Sequence, residues 1–386
     1  MTAPLRFHIQ TGLSRLELGL LWRDLEARAD PTFFLSWDWI GAWLAELEPL
    51  PPVVVGEAGG ALVLLGALVP HRRVEGGIVR VDGLFLHTTG ERAKDVIAIE
   101  YNGFLVDRAW TATASAAAVD WLLGAARVAG RRRAELHVVA ACAEEEARLV
   151  PPGMLLQVPS RKPSWRVDLD PVRAAGGDDR ARCLAAYLAT LGANTRQQIR
   201  RSMRLYEETG PLVAERAEDA ATGLAFLDAL AALHQAQWEA RGEPGGFAFP
   251  FFERFQRRLV ETCLPHGTVE LLRISRGGTP IGYLFNLVYR GHVLAFVSGF
   301  RFEDDPRLKP GLICHALAIA RHAAEGVAIY DFLAGAARYK GNLGRPGPEF
   351  VYLLIQRPTA MTRTERQLRR AWTGLRPALR RLAPRR

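Results

Sequence analysis

Lysine is scarce in this sequence of 386 residues. Lys and Arg together number 50, yet only four of them are Lys: Lys94, Lys162, Lys309 and Lys340. A compact ammonium and a planar guanidinium are not interchangeable as binding groups. Lys340 directly follows Tyr339 in the segment YDFLAGAARYKGNLG. It is therefore a candidate for a contact that an Arg would not make.

Cysteine is rare as well, and its four residues lie far apart. No pair has CxxC spacing, and no His stands at metal-ligand spacing. The sequence therefore predicts neither a zinc site nor a disulfide framework, and it favours a reducing compartment.

Long apolar runs are also missing. No run approaches the roughly 18 residues that span a bilayer. The first residues, MTAPLRFHIQTGL, lack the basic start and the apolar stretch of a signal peptide. We therefore expect a soluble, cytoplasmic protein.

Positive charge is concentrated at one end of the chain. The net charge is +9, and residues 361–386 hold nine Arg and one Glu, so the rest of the chain is close to neutral. Apolar residues in this segment recur every three or four positions, which predicts a helix that Pro377 interrupts. Such a helix either docks by its apolar face or contacts an anionic membrane surface, an RNA or an acidic carrier protein.

The first half of the chain predicts a mixed pattern of helices and strands. Residues 33–47 predict a helix that Ser36 or Asp38 caps. A hairpin and another strand follow PLPP. Residues 112–130 then predict a second helix, which ends at Gly130 and precedes the strand AELHVVAAC.

The second half repeats this order with more helices. Helices are predicted over GDDRARCLAAYLATLG, over NTRQQIRRSMRLYEETGP with Asn194 or Thr195 as N-cap, and over residues 222–240. A three-stranded antiparallel meander with Gly-containing turns follows. The helix LICHALAIARHAAEG, the strand VAIYDFL, a short helix near Lys340 and the strand FVYLLIQR complete the pattern.

This order predicts a mixed α/β (α+β) fold of two tandem domains. Each domain would be a mostly antiparallel mixed sheet flanked by helices. The length and the hydrophobic content of 49% suit two full cores. We assign residues 1–165 to the first domain, 166–360 to the second and 361–386 to a basic C-terminal helix or tail.

Four segments carry a resemblance to a known family. They are FFLSWDWIGAWL, TRQQIRRSMRLYEETG, LHQAQWEARG and YDFLAGAARYK, in this order along the chain. With the element order of residues 268–357, they resemble the acyl-CoA N-acyltransferase (GNAT) superfamily. The tandem arrangement is similar to the CelD/BioF2-like branch, which is related to the Fem-type aminoacyl transferases. The resemblance implies two GNAT-like domains in a bacterial enzyme that transfers an acyl group to an amine.

The resemblance also implies where an acyl donor binds. The loop before the 312–325 helix would hold the donor's phosphates at a helix N-terminus, with Arg307, Lys309 and Gly311 as the residues. The chain lacks the longer glycine pattern of standard GNAT enzymes. Acyl-CoA, an acyl-carrier protein and an aminoacyl-tRNA therefore stay open as donors, and no tightly bound cofactor is expected.

In the same fold, a strand presents backbone N–H groups to the carbonyl oxygen of the thioester. The strand VLAFVSGF matches that position, so the resemblance implies Val297, Ser298 and Gly299 as contacts to the donor. Their backbone atoms, rather than their side chains, would bind the oxygen.

Four residues near the C-terminal end are candidates for catalysis. Tyr339 matches the family's acid for the leaving group, since a phenol with a pKa near 10 can donate to a thiolate. Lys340 fits the related Tyr-Lys pattern and would bind a substrate carboxylate or phosphate. Asp331 is either the base for the amine or the partner of a nearby Arg. His315 is either a base or a buried core residue.

Two further groups are candidates for binding substrates. Arg196 and Arg200 share a helix face with Arg204, which is either a solvated face or a surface for an acidic donor or acceptor. Trp238 and Arg241 match a family motif in QWEARG. They either line the acceptor pocket or belong to the core.

These residues lead to one hypothesis and two alternatives. The hypothesis is an N-acyltransferase that uses acyl-CoA or an acyl-carrier protein and a small-molecule or peptide amine. The first alternative is a Fem-like aminoacyl-tRNA-dependent transferase. The second is a non-catalytic scaffold in polysaccharide or cell-envelope assembly. A peripheral membrane contact through the basic C-terminus is a further partner hypothesis.

Overall fold

The structure is a computed structural model that describes residues 3–75, 79–360 and 362–363. The basic segment 361–386 lies outside the described residues except at two positions, so the helix expected there stays a prediction. Within the described part of the chain, no helix combines the length and the apolar character that crossing a membrane requires.

Eight strands form the first sheet: β1 (Leu5–Gln10), β2 (Val53–Ala58), β3 (Ala61–Glu75), β4 (Val79–Leu86), β5 (Leu105–Val106), β6 (Glu135–Cys142), β7 (Leu155–Lys162) and β15 (Phe350–Gln356). Their order is β1-β2-β3-β4-β6-β15-β7, and β5 pairs with β3. All neighbours are antiparallel except β4 and β6.

Five helices belong to the first half: α1 (Arg15–Arg28), α2 (Trp37–Leu44), α3 (Arg92–Asp95), α4 (Ala114–Gly124) and α5 (Glu146–Leu149). α1 begins at a capping box of Ser14 and Glu17. α2 begins after Ser36, whose hydroxyl accepts from a backbone N–H. The predicted helix at 33–47 is therefore shorter, and residues 33–35 form a 3₁₀ turn before it.

Seven strands form the second sheet: β8 (Ser164–Asp168), β9 (Leu212–Arg216), β10 (Val269–Arg276), β11 (Thr279–Tyr289), β12 (His292–Phe300), β13 (Ile329–Ala334) and β14 (Arg345–Pro346). The order is β14-β8-β13-β12-β11-β10-β9, and only β12 and β13 run parallel. The predicted meander β10–β11–β12 is confirmed. Two mostly antiparallel mixed sheets flanked by helices confirm the predicted fold class.

In the described part of the second half, seven helices are α6 (Asp170–Gly176), α7 (Arg180–Thr190), α8 (Ala193–Glu207), α9 (Ala220–Glu239), α10 (Pro250–Cys263), α11 (Pro310–Ala324) and α12 (Arg338–Leu343). The N-cap of α8 is Gly192, so the prediction of Asn194 or Thr195 was wrong by two or three positions. Both residues lie inside the first turn.

The chain crosses between the sheets twice. β8 follows β7 but pairs with β13 in the second sheet. β15, which the sequence pattern had grouped with the second domain, pairs with β6 and β7 in the first. The physical reason is that β15 buries Val351, Leu353 and Ile355 in the same core cluster as α4. The domain bounds at 165 and 360 stay a prediction.

The two halves share one hydrophobic core. Trp39 of α2 packs edge-on against Phe255 of α10, with ring centroids 4.8 Å apart. At the rim of this contact, Glu46 binds Arg254 and Arg258 at 2.8 and 2.9 Å. This contact places the first half beside the meander of the second.

Candidate active site

The parallel strands β12 and β13 separate part-way along their length. Their ladder runs from His292 and Ile329 to Leu294 and Asp331, and within the described residues it ends there. Beyond this point the edge of β12 has no strand partner on that side, so its backbone groups are available to a ligand. A bulge in the pairing with β11, at Phe296, adds twist to the same part of β12.

A cleft with a volume of about 750 Å³ opens where the strands separate. Val297 and Ser298 line it, as the resemblance implied, whereas Gly299 does not. A Cβ at Gly299 would lie 2.5 Å from the backbone oxygen of Leu230. Gly299 therefore allows α9 to pack closely on β12, and its predicted backbone contact to the donor stays a prediction.

Aromatic side chains form much of the cleft wall. Trp238 from α9 and Phe252 from α10 stand near Phe296 and Phe300 of β12. Arg241 lies over the ring of Trp238, with its guanidinium carbon 5.5 Å from the centroid. Trp238 and Arg241 thus line the same cleft. The first half of the chain contributes a segment around α3 to the wall, consisting of Arg92, Asp95, Val96, Ile97 and Ala98.

His234 is a cleft residue that the sequence reading did not single out. Its Nδ1 lies 3.1 Å from the carbonyl oxygen of Ser298. Because a carbonyl only accepts, the proton must reside on Nδ1, which leaves a lone pair on Nε2. Burial lowers the pKa of His234 below 6.5, so the ring is neutral at pH 7 and can accept a proton.

Tyr339 lies on the opposite side of the cleft, in α12. Its ring stacks on the ring of His315 at 5.8 Å and 15°, and the residue is 36% exposed. Desolvation raises the pKa of Tyr339 above 10, although the charge of Arg241 opposes the shift. The phenol therefore keeps its proton and can act as a donor.

His315 lies behind Tyr339 rather than in the cleft. It is 2% exposed, and its Nδ1 is 3.0 Å from the hydroxyl of Tyr330. Burial and the nearby Lys340 charge lower the pKa of His315 to about 3. This enclosed imidazole packs against the ring of Tyr339, as the alternative of a buried core residue implies, and a role as a base stays a prediction.

Lys340 lines the cleft but directs its ammonium at the backbone. Nζ donates to the carbonyl oxygens of Phe332 at 2.6 Å and of Ala334 at 2.7 Å, and that of Leu333 lies at 3.5 Å. A compact ammonium suits such converging oxygens better than a planar guanidinium does. The Lys340 ammonium thus binds the end of β13, and the expected contact to a substrate carboxylate or phosphate stays a prediction.

Replacing Lys340 by Met is expected to lower the free energy of unfolding by about 2 kcal/mol, because partly buried carbonyl groups lose their donor. Denaturant unfolding of the full chain measures the loss. Lys162→Met, at an exposed Lys, is the matched control and should change stability by less than about 0.5 kcal/mol. Equal stability of both variants would contradict the structural role of Lys340.

Asp331 is fully buried and points away from the cleft. One carboxylate oxygen accepts from the hydroxyl of Tyr101 at 2.5 Å, and the other accepts from the N–H of Leu333 at 2.6 Å. His292 Nε2 is 3.3 Å from the first oxygen. Asp331 therefore links β13 to the first half of the chain. A partner was expected for this carboxylate, and that partner is Tyr101 rather than an Arg; the alternative role as a base stays a prediction.

Glu100 makes a second link between the same segments. Its carboxylate accepts from the N–H of Ala334 at 2.8 Å. Burial raises the pKa of Glu100 above its usual range, and it lowers the pKa of Lys340. Leu333 itself has a φ of 60°, a conformation that costs energy for a residue other than Gly. Several contacts therefore hold the end of β13 in a strained form.

The start of α11 lies beside a different pocket. Arg201 and Lys309 line this pocket of about 410 Å³, together with Arg307. Arg307 forms a two-pronged pair with Asp305, at 3.0 and 2.7 Å, and this pair lowers the pKa of Asp305 to about 2. The charge of Arg307 is thus balanced within the loop. Lys309 donates its backbone N–H to Ser202 at 2.8 Å.

Three of the other predicted residues lie outside the main cleft. Gly311 packs on the ring of Phe300, where a Cβ would be 3.1 Å away. Arg196 and Arg200 line a groove of about 620 Å³ between α7 and α8. The structure therefore does not bring the Arg face of α8 together with Trp238 and Arg241.

Comparison with known families adds an independent observation. Residues 193–341 match the family model described as the acetyltransferase (GNAT) domain. This segment is similar to a GNAT domain, and the name GNAT domain is used for residues 193–341 in that sense. It includes α8, the meander, the separated strands β12 and β13, and part of α12. No curated protein sequence matches the chain.

Solved structures show the same fold around the GNAT domain. FemX has a TM-score of 0.53 at 11% identity, over 89% of this chain and 96% of that chain. L-PGS from Bacillus licheniformis has a TM-score of 0.51 at 10% identity, over 92% and 96%. At such identities the likeness extends to the fold alone.

One cleft residue, His234, was not predicted from the sequence, and the partners of Lys340 were not predicted either. His234 lies four residues before Trp238 on α9, so the spacing of one helical turn within LHQAQWEARG was a usable signal. Lys340 was recognised, but its backbone partners could not be. These carbonyl groups belong to residues 332–334, where Leu333 has a φ of 60°.

Proposed function

We propose that the protein is an N-acyltransferase that moves an acyl group from a thioester, either acyl-CoA or an acyl-carrier protein, to an amine. The GNAT domain supports acyl transfer in general. The observation that carries the proposal is the position of His234, a neutral base in the cleft at the unpaired edge of β12.

In the proposed reaction, the thioester lies along the unpaired edge of β12. A backbone N–H group at Val297 or Ser298 would polarise the carbonyl and stabilise the oxyanion that forms during attack. The aromatic wall at Trp238 and Phe252 excludes water, so it favours the amine over hydrolysis. Donor and amine react in one ternary complex.

The proton transfers are assigned to two side chains. The amine nitrogen attacks the carbonyl carbon, and His234 Nε2 accepts a proton from it. The carbon–sulfur bond then breaks, and the hydroxyl of Tyr339 protonates the leaving thiolate. His234 replaces Asp331 as the proposed base, since the Asp331 carboxylate is enclosed.

The pocket at the start of α11 is the proposed site for the donor's phosphate groups. Arg201→Ala is expected to raise the KM for the donor about tenfold at low salt with little change in kcat, because a charge-assisted contact is lost. Arg307→Ala is the matched control and should have a smaller effect, since Asp305 already pairs with that charge. KM values for the donor at two salt concentrations test this, and equal effects of both variants would contradict it.

Thermal unfolding of the full chain tests the donor class. Acyl-CoAs of graded length, an acyl-carrier protein and an aminoacyl-tRNA are added separately. The proposal expects a rise in Tm with a thioester donor. A rise with aminoacyl-tRNA alone would favour the Fem-like alternative, and the absence of any shift would favour the scaffold.

A further inference from the structure

A cluster of His and Glu side chains lies on the first sheet, remote in sequence from the GNAT domain. His71 is on β3, and Glu135 and His137 are two residues apart on β6, so they share a face. One ligand atom of each side chain lies within 4.8 Å of the others. The proposed acyl transfer does not use these residues.

A glycine between the strands makes the cluster possible. Gly83 of β4 is the register partner of both His71 and Glu135. A Cβ at Gly83 would lie 2.5 Å from the His71 ring and 2.8 Å from the Glu135 side chain. Because position 83 has no side chain, residues of two non-adjacent strands meet above it.

The donor atoms form a nearly regular triangle. His71 Nε2 is 3.1 Å from His137 Nε2. Glu135 Oε1 is 3.0 Å from His137 Nε2 and 3.5 Å from His71 Nε2. Bonds of roughly 2.0–2.2 Å to a tetrahedral zinc ion place its donor atoms about 3.3 Å apart. The triangle fits such an ion to within a few tenths of an ångström.

The three side chains contact one another through these atoms, and a hydrogen bond from outside the cluster orients His137. The hydroxyl of Tyr352 lies 2.5 Å from His137 Nδ1, so Nε2 of His137 faces the cluster. In metal sites, a hydrogen bond to the other ring nitrogen orients a metal-bound His in the same way. His71 Nδ1 is buried without a partner among the described residues. Among the described residues, the polar contacts of His71 are therefore made through Nε2, the nitrogen that faces the cluster.

Arg73 also binds the carboxylate of Glu135, which is one of the three cluster residues. Its guanidinium donates to both oxygens at 2.7 Å, so the two imidazoles must supply much of the binding. A similar cluster of Glu270, His322 and Glu325 offers one imidazole and contacts several Arg residues. That second cluster is an ion-pair network, whereas the first has the donor set of a metal site.

We propose that His71, Glu135 and His137 bind one divalent transition-metal ion such as Zn²⁺. Two imidazole nitrogens and one carboxylate oxygen suit this class better than Mg²⁺ or Ca²⁺, which prefer oxygen ligands. Three protein ligands leave a fourth position open. CxxC-type spacing did not reveal the site because its ligands come from separate strands.

Metal titration of the full chain after chelator treatment tests the proposal. We expect the chain to retain one Zn²⁺ after desalting and to give a visible Co²⁺ absorption band typical of four ligands. His71→Ala should lose both, whereas His266→Ala, at an exposed His outside the cluster, should keep both. Unfolding curves without metal verify that each variant is folded.

Two results would overturn the metal site. One is a wild-type chain that binds neither Zn²⁺ nor Co²⁺, which is decisive even if the variants fold poorly. The other is equal binding by wild type and His71→Ala. Neither result depends on an acyl-transfer assay, so the metal site and the proposed acyltransferase fail independently.

Discussion

His234→Gln is expected to lower kcat by two to four orders of magnitude, the usual contribution of a general base. Gln can still donate a hydrogen bond to the carbonyl oxygen of Ser298, but it has no nitrogen that accepts a proton near neutral pH. The fold should therefore survive while proton removal from the amine fails. Steady-state kinetics with a saturating donor measure the effect.

The pH profile separates this role from a structural one. A base acts only when it is neutral, so wild-type activity should fall as the pH drops through the pKa of His234. Burial lowers that pKa, so the loss of activity on the acid side of the profile (the acidic limb) should have its midpoint below pH 6.5. The limb should disappear in His234→Gln and persist in His266→Gln. An unchanged kcat with an unchanged limb would exclude His234 as the base.

Tyr339→Phe is expected to lower kcat by one to two orders of magnitude with little change in the KM for the donor. Phe keeps the ring stacked on His315 but removes the proton that the leaving thiolate needs. Since desolvation raises the pKa of Tyr339 above 10, the wild-type phenol stays protonated across the neutral range. Loss of activity by deprotonation should begin only above that pH.

The leaving group provides the control for Tyr339. A more acidic thiol leaves as a thiolate without needing a proton. A thioester of such a thiol should therefore reduce the difference in kcat between Tyr339→Phe and wild type. The same donor should not rescue His234→Gln, whose defect concerns the amine. If the difference in kcat does not depend on the pKa of the thiol, Tyr339 is not the acid that protonates the leaving group.

Local patterns in the sequence predicted the fold class and part of the cleft. Alternating apolar strands and Gly-containing turns specify the meander, and the order of the motifs pointed to Trp238 and Tyr339. These signals depend on neighbouring residues, so a single sequence contains them. The final strand escaped because nothing in Phe350–Gln356 specifies which of two sheets it joins.

Long-range partners explain the other differences. Asp331 was recognised as a buried carboxylate, but its partner Tyr101 lies 230 positions away in the chain. Lys340 was recognised by its rarity, but its acceptors depend on a φ of 60° at Leu333. His71 and Glu135 meet only because two strands flank Gly83. Residue types suggest that such groups need partners, and only the fold shows which.

The release of thiol from defined thioesters, with mass analysis of the product, tests the central claim most directly. Acyl-CoAs and an acyl-carrier protein serve as donors, amines as acceptors, and an aminoacyl-tRNA as the competing donor. The account predicts amine-dependent release of thiol with one N-acyl product per thiol, which His234→Gln suppresses. Transfer from aminoacyl-tRNA alone, or thiol release that does not depend on the amine, would contradict it.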